Sequence, residues 1–236
     1  MGVSLLPKLF GISDLHLPGS TDKTMDLFGP QWTNHGQQIA VNWLNAVQEE
    51  DIVLIPGDIS WAMKLPEAQP DLDLIGSWPG RKVLVRGNHD YWWQSISKLR
   101  QALPPTMYAI HNDSLHLEGI NFCGTRGWKI PGDEGFTQED EKIYLRELHR
   151  LELSLQAIRA EGEIIVMLHY PPFNEKGEPS GFVSLMKQYG VAKCVYGHLH
   201  GPKGKGGVTG PVDGISYYLV SCDQLGFAPM LIADIK

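Results

Sequence analysis

Lys82-Val83-Leu84-Val85-Arg86-Gly87-Asn88-His89-Asp90 is the stretch from which the fold can be read. Val83, Leu84 and Val85 form a short apolar run with β-branched residues, the mark of a buried strand. Gly87 then permits a backbone turn that a residue with a Cβ would resist. Asn88, His89 and Asp90 follow at the carboxyl end of the strand, where open α/β sheets place their ligands. An amide oxygen, an imidazole nitrogen and a carboxylate in a row are expensive to bury unless they bind something. Taken alone, the segment also reads as an ordinary polar turn, because turns favour Gly, Asn and Asp.

Four other stretches share its form, an apolar run followed by residues able to hold a metal. They are Leu9 to His16, with Asp14 and His16 at its end; Ile52 to Asp58; Ile164 to His169; and Cys194 to His200, with His198 and His200. In chain order the five spell Asp-x-His, Gly-Asp, Gly-Asn-His-Asp, His and Gly-His-x-His. That ordered set, running from Asp14 to His200, resembles the calcineurin-like metallophosphoesterase superfamily. A single Asp-x-His or His-x-His carries little weight. All five in order, each behind a strand-like run, are specific.

The resemblance implies a four-layer α/β/β/α sandwich of two mixed sheets with flanking helices. Periodicity alone supports only an α/β chain with an antiparallel portion in its second half. The resemblance also implies two divalent metal ions. Asp58 would bridge them, Asp14, His16 and His200 would complete one site, and Asn88, His169 and His198 the other. Carboxylate, amide and imidazole ligands suit manganese, iron or zinc alike. The implied reaction is hydrolysis of a phosphate ester, monoester or diester, by a metal-bridging hydroxide. His89 would protonate the leaving group, and Asp90 would hold its imidazole in the required tautomer. Arg126 fits no motif; its guanidinium is a candidate bidentate clamp for a phosphate. A histidine outside the motifs, such as His35, His111, His116 or His149, is read as a packing or surface residue.

The bulk properties agree with an enzyme of ordinary composition. The chain has 236 residues, 42% of them hydrophobic, enough for a sizeable core. We expect a single domain over residues 1–236, because the motifs that must converge span most of the length. The net charge of -7 argues against nucleic acid as a partner. No apolar run approaches a membrane span, so no membrane partner is expected. The substrate expected is therefore a small-molecule phosphate ester. Cys123, Cys194 and Cys222 show no paired spacing and fit a reducing, cytoplasmic setting, each as a core residue.

Between the motifs, residues 18–34 read as a long loop and Ile39, Trp43, Ala46 and Val47 as one face of a helix. Residues 59–70 read as irregular, with a short helix near Leu72 to Trp78. Trp61, Trp92 and Trp93 read first as packing residues, with a pocket-lining role open to one of them. Met107 to Thr125 reads as antiparallel strands. Thr137 and Asp140 resemble a capping box opening a helix striped by Tyr144, Leu148, Leu151, Leu155 and Ile158. Residues 201–214 read as a flap or a hairpin connection, and Ile215 to Val220 with Met230 to Asp234 as a closing hairpin.

Two other functions fit the same residues less well. A non-catalytic scaffold of this fold would not need His89 beside a complete ligand set. A nuclease or protein phosphatase would share the core residues, but the acidic balance weighs against the nuclease.

Overall fold

The computed structural model describes residues 6–21, 23–204 and 206–235, leaving aside the side chain of Lys203. The sequence reads as a first strand from about Leu5 to Ser13; its start, and Lys205 within residues 201–214, lie outside the described residues. Strands β1 (Lys8–Gly11), β2 (Ile52–Pro56), β3 (Arg81–Val85) and β4 (Met107–Ala109) alternate with helices α1 (His35–Ala46), α2 (Leu65–Ser77) and α3 (Ile96–Ala102). Strands β5 (Leu115–Leu117) and β6 (Ile120–Thr125) lead to the long helix α4 (Gln138–Gln156). Strand β7 (Glu163–Leu168) and helix α5 (Gly181–Gln188) come next. The order ends with β8 (Lys193–Tyr196), the single helical turn α6 (Gly201–Gly204), β9 (Gly210–Val212), β10 (Ile215–Leu219) and β11 (Met230–Asp234).

Two mixed sheets result. One has the order β11-β1-β2-β3-β4, the other β5-β6-β7-β8-β10-β9. In each the middle strands are parallel, because a helix supplies the crossover between most neighbours. Antiparallel strands close three of the four edges, β11 on β1, β5 on β6 and β9 on β10, and the parallel β4 forms the fourth.

The alternation of side chains shows how the layers stack. In β2, Val53 and Ile55 pack with α1, α2 and α3, while Ile52 and Leu54 face the other sheet. In β7, Ile165 and Met167 face the first sheet, while Val166 and Leu168 pack with α4 and α5. Successive residues of a strand point to opposite faces, so a strand covered on both faces must be apolar throughout. The order is helices, sheet, sheet, helices: the four-layer sandwich.

Three expectations need correction. The stretch Met107 to Thr125 is antiparallel only at β5 and β6; β4 runs parallel to β3, since α3 precedes it as a crossover. The closing hairpin does not form. Strand β10 pairs with β8 in one sheet and β11 with β1 in the other, and the chain crosses between them through a bridge of Ser221 to Ser13. Helix α2 starts at Leu65, inside the stretch read as irregular. Pro66 falls in the first turn, where its missing N–H is not needed, and Glu67 accepts from the amides of Met63 and Lys64.

Residues 18–34 contain two short 3-10 turns, Asp26–Phe28 and Pro30–Trp32. Residues 201–214 supply α6 and β9, which hairpins onto β10. The capping box of α4 is present: Thr137 accepts from the Asp140 amide, and Asp140 accepts from the Thr137 amide. Among the described residues no helix is long and apolar enough to cross a membrane.

Candidate metal centre

Every motif lies just past the carboxyl end of a parallel strand, and the two sheets present those ends to one place. Asp14 and His16 follow β1, Asp58 follows β2, and Asn88, His89 and Asp90 follow β3. From the second sheet, His169 follows β7 and His198 and His200 follow β8. Backbone bonds tie the loops together: the Asp14 amide donates to the Gly57 carbonyl, His16 to Asp58, and Gly197 to His169.

The ligating atoms converge in two groups. Asp14, His16 and His200 bring theirs within 4.8 Å of one another, and so do Asp14, Asp58 and His169. His200 Nε2 lies 3.3 Å from an Asp14 oxygen, and His16 Nε2 lies 3.8 Å from Asp58 Oδ2. Around His169 Nε2 stand Asn88 Oδ1 at 2.6 Å, His198 Nδ1 at 3.2 Å and Asp58 Oδ2 at 3.4 Å. Those separations match neighbouring ligands around a single ion. All seven motif residues expected to hold metal are thus gathered in one cluster.

The chemistry of the cluster fits divalent cations. Asp14 and Asp58 are 0% and 2% exposed, and His16 Nδ1 is buried without a hydrogen-bond partner among the described residues. Buried carboxylates beside the neutral imidazoles of His16, His169 and His198 are costly without a cation to hold. Burial pushes the imidazoles toward the neutral form: His169 down to about 4, His198 down to about 3, and His16 well below its ordinary value. Burial, then the charges of Asp90 and Asp14, push Asp58 well above the usual carboxylate range. Burial would also raise Asp14, but the His200 hydrogen bond and the neighbouring histidine charges outweigh it and hold Asp14 low. Against the pull of burial, Asp14 and Asp223 push His200 up to about 10.

The backbone is strained where the ligands sit. Asp14, His16, Asp58 and His198 all have positive φ, at 59°, 45°, 54° and 70°. Side chains with a Cβ seldom adopt that conformation, and where they do it clusters at functional sites. At Gly87 space, rather than a left-handed backbone, requires glycine: a Cβ there would run into the amide and carboxylate of Asp58.

Asp90 is buried, with its hydrogen bonds made to backbone amides and an indole. Its oxygens accept from the amides of Gly87 at 2.7 Å, Asp58 at 2.9 Å and Ile59 at 2.8 Å, and from the Trp92 indole at 3.1 Å. Two residues along a tight turn, it points back at the amides that the turn leaves open. It therefore positions the loop that carries Asp58. His89 is held through its own amide, which donates to Asp58 Oδ1 at 2.8 Å. The His89 ring is half-buried against Trp61, with centroids 4.6 Å apart. Burial lowers its pKa; Asp14 opposes that, and His200 and Lys23 add to it.

Arg126 is committed elsewhere. One guanidinium nitrogen donates to Glu147, 3.3 Å away and fully buried, and the group stacks on Trp128 at 4.4 Å. Glu147 also pairs with Arg150 at 2.7 Å. The Arg126 carbonyl holds the amides of His169 and Tyr170.

Some contributors carried no motif. Asp223, after β10, accepts from His200 Nδ1 at 2.8 Å and from the Gly201 amide at 2.8 Å. His35 contacts the carbonyls of Leu15 and His16 through Nε2 and so fixes the first ligand loop. The Cys222 thiol, fully buried, donates to the Asp14 carbonyl at 3.0 Å. Trp92 and Trp93 are core residues, whereas Trp61 stacks on His16 at 4.7 Å. A separate cleft of about 460 Å³ between α3, β4 and β5 contains none of the site residues.

Comparison with known proteins agrees with this geometry. Residues 7–202 match the family model for the calcineurin-like phosphoesterase. No curated protein sequence shows significant similarity. Among solved structures, the fold is similar to a phosphopantetheinyl hydrolase from Mycobacterium tuberculosis, with 14% identity and a TM-score of 0.60 over 98% of this chain and 97% of that one. It is also similar to a protein of unknown function from Aquifex aeolicus, with 15% identity and a TM-score of 0.51 over 95% of each chain. With the match spanning most of the sequence, the chain belongs to the calcineurin-like phosphoesterase family and is a metal-dependent phosphohydrolase.

Proposed function

We propose that the whole chain acts as one catalytic unit that hydrolyses a small-molecule phosphate ester at a two-metal centre. Asp14, His16 and His200 would hold one ion, Asn88, His169 and His198 the other, with Asp58 shared between them. The observation that carries this reading is the clustering of Asn88, His198 and Asp58 around His169 Nε2 beside the Asp14–His16–His200 group. Divalent ions bound there supply a nucleophile at neutral pH and neutralise the phosphate oxygens. Manganese, iron and zinc all suit the donor set.

The protein's own groups do the rest. His89 stands at the rim, its amide on Asp58 and its ring against Trp61. It would protonate the departing oxygen as the P–O bond breaks. Burial disfavours its charged form. Asp90 keeps the Asp58 loop in place through its three short amide bonds. The net charge of -7 supports a small soluble ester over a nucleic acid. Three buried, unpaired cysteines support a cytoplasmic setting.

The test is metal analysis together with hydrolysis of p-nitrophenyl phosphate and bis-p-nitrophenyl phosphate. We expect two ions per chain and turnover of at least one ester. The His89→Asn variant should keep its metals and lose roughly 10²–10⁴-fold in turnover on esters with poor leaving groups. Metal bound with neither ester cleaved would favour the scaffold reading instead.

A further inference from the structure

Resting on the hydrolytic reading above, we propose that Lys23 and Trp61 form a subsite for the departing half of the substrate. It takes a leaving group with a flat or apolar body and an anionic substituent. During hydrolysis the oxygen of water forms the new P–O bond, the bond to the departing oxygen breaks, and His89 gives that oxygen its proton. The rest of the leaving group must then extend past His89 onto what lies beside it.

Trp61 lies beside it. Its indole is stacked on His16, with centroids 4.7 Å apart and planes at 19°, and it leans on His89 at 4.6 Å. The side chain is fixed rather than loose: its indole N–H meets the Met25 sulfur at 3.3 Å, and its amide donates to the Leu17 carbonyl at 2.9 Å. Unlike Trp92 and Trp93 it is only half-buried, so part of the ring faces solvent at the mouth of the site. Tyr91, 49% exposed, meets the His89 ring at 6.2 Å and adds a second aromatic edge. Aromatic faces flanking a proton donor suit a planar or apolar leaving group.

Lys23 supplies the charge. Its ammonium stands 5.5 Å over the Trp61 ring, held there by attraction to the indole face. It is carried by the 18–34 segment, whose Met25 also docks on Trp61. A compact cation on a flexible stem suits a carboxylate or phosphate reached at varying distance. It stands one indole away from His89, within reach of a second anionic group carried by the leaving half of the substrate.

The experiment compares phenyl phosphate with 4-carboxyphenyl phosphate, whose leaving groups differ chiefly in one distant negative charge. In the wild type kcat/KM should favour the carboxylated ester by about tenfold at low ionic strength, and the preference should shrink as salt rises. Lys23→Ala should abolish the preference, Lys23→Glu should reverse it, and Lys23→Arg should keep it. Trp61→Ala should raise KM for both esters. Calorimetric binding of the two esters to metal-loaded His89→Asn protein, with and without Lys23→Glu, reads the same selectivity without turnover. A wild type that cleaves neither ester would strike at the hydrolytic reading. Equal affinities for the two esters, unmoved by Lys23→Glu, would overturn the subsite itself.

Discussion

Asp223 shows what one side chain can do without touching a substrate. It accepts from His200 Nδ1 and thereby turns Nε2 toward Asp14. A carboxylate behind a ligating histidine fixes its tautomer and raises its basicity. Asp223→Asn should weaken metal binding by roughly 10–100-fold while leaving the fold intact, as read by metal titration beside circular dichroism. Unchanged affinity would remove Asp223 from the centre. Asp71 offers a test in pH. Burial raises its pKa to about 6, and the Ser60 hydroxyl donates to it at 2.6 Å. The folded state therefore holds this proton where the unfolded chain, at its ordinary 3.8, has lost it, so stability is lost as pH rises between those values. Asp71→Asn should gain on wild type across that window and hold an advantage of about 1–3 kcal/mol at neutral pH, measured by urea unfolding. An advantage that does not grow with pH would refute this origin. At this scale the sequence was legible where a candidate ligand follows a strand, as with Asp14, Asp58 and His169, which the fold brings together. Asp223 was not, because a lone Asp far from any partner in sequence carries no pattern. The bonds of Asp90 to the amides of Gly87 and Asp58 were not legible either, because the turn that aims it there is set by the fold.

Elements set by local chemistry were the most readable. Helix α4 opens at Thr137 with its reciprocal cap, and Tyr144, Leu151 and Leu155 bury one stripe. Thr137→Ala should cost about 0.5–2 kcal/mol, seen as a lower thermal midpoint with activity retained. A variant as stable as wild type would mean that the cap contributes nothing. Strand β7 was readable too, since an apolar run of Ile, Val, Met and Leu has one obvious use between two layers, and β8 was marked by the short buried run Cys194-Val195-Tyr196. Pairing was harder. Nothing local tells β10 to join β8 while β11 crosses to β1, because each is chosen by the face it must bury in a distant sheet. Helix α2 was hidden by its prolines, whose meaning depends on where the first turn falls.

For the whole molecule, the centre is a joint between two sheets. The first sheet contributes Asp14, His16, Asp58 and Asn88, and the second His169, His198 and His200. Bound ions would thus tie together halves otherwise joined by the apolar layer of Leu54, Val85, Met167 and Val195. Metal at about a hundredfold above its Kd should add about 2.7 kcal/mol, and chelation should lower the thermal midpoint by roughly 5–10 °C. A midpoint indifferent to chelator would mean that the ions bind without bracing the fold. The left-handed backbone at Asp14, His16, Asp58 and His198 carries a further consequence. Glycine or asparagine would sit there with less strain than the residues present. Selection for sturdiness alone would therefore drift toward a tougher, inert protein, and keeping the chemistry means continually resisting that slide.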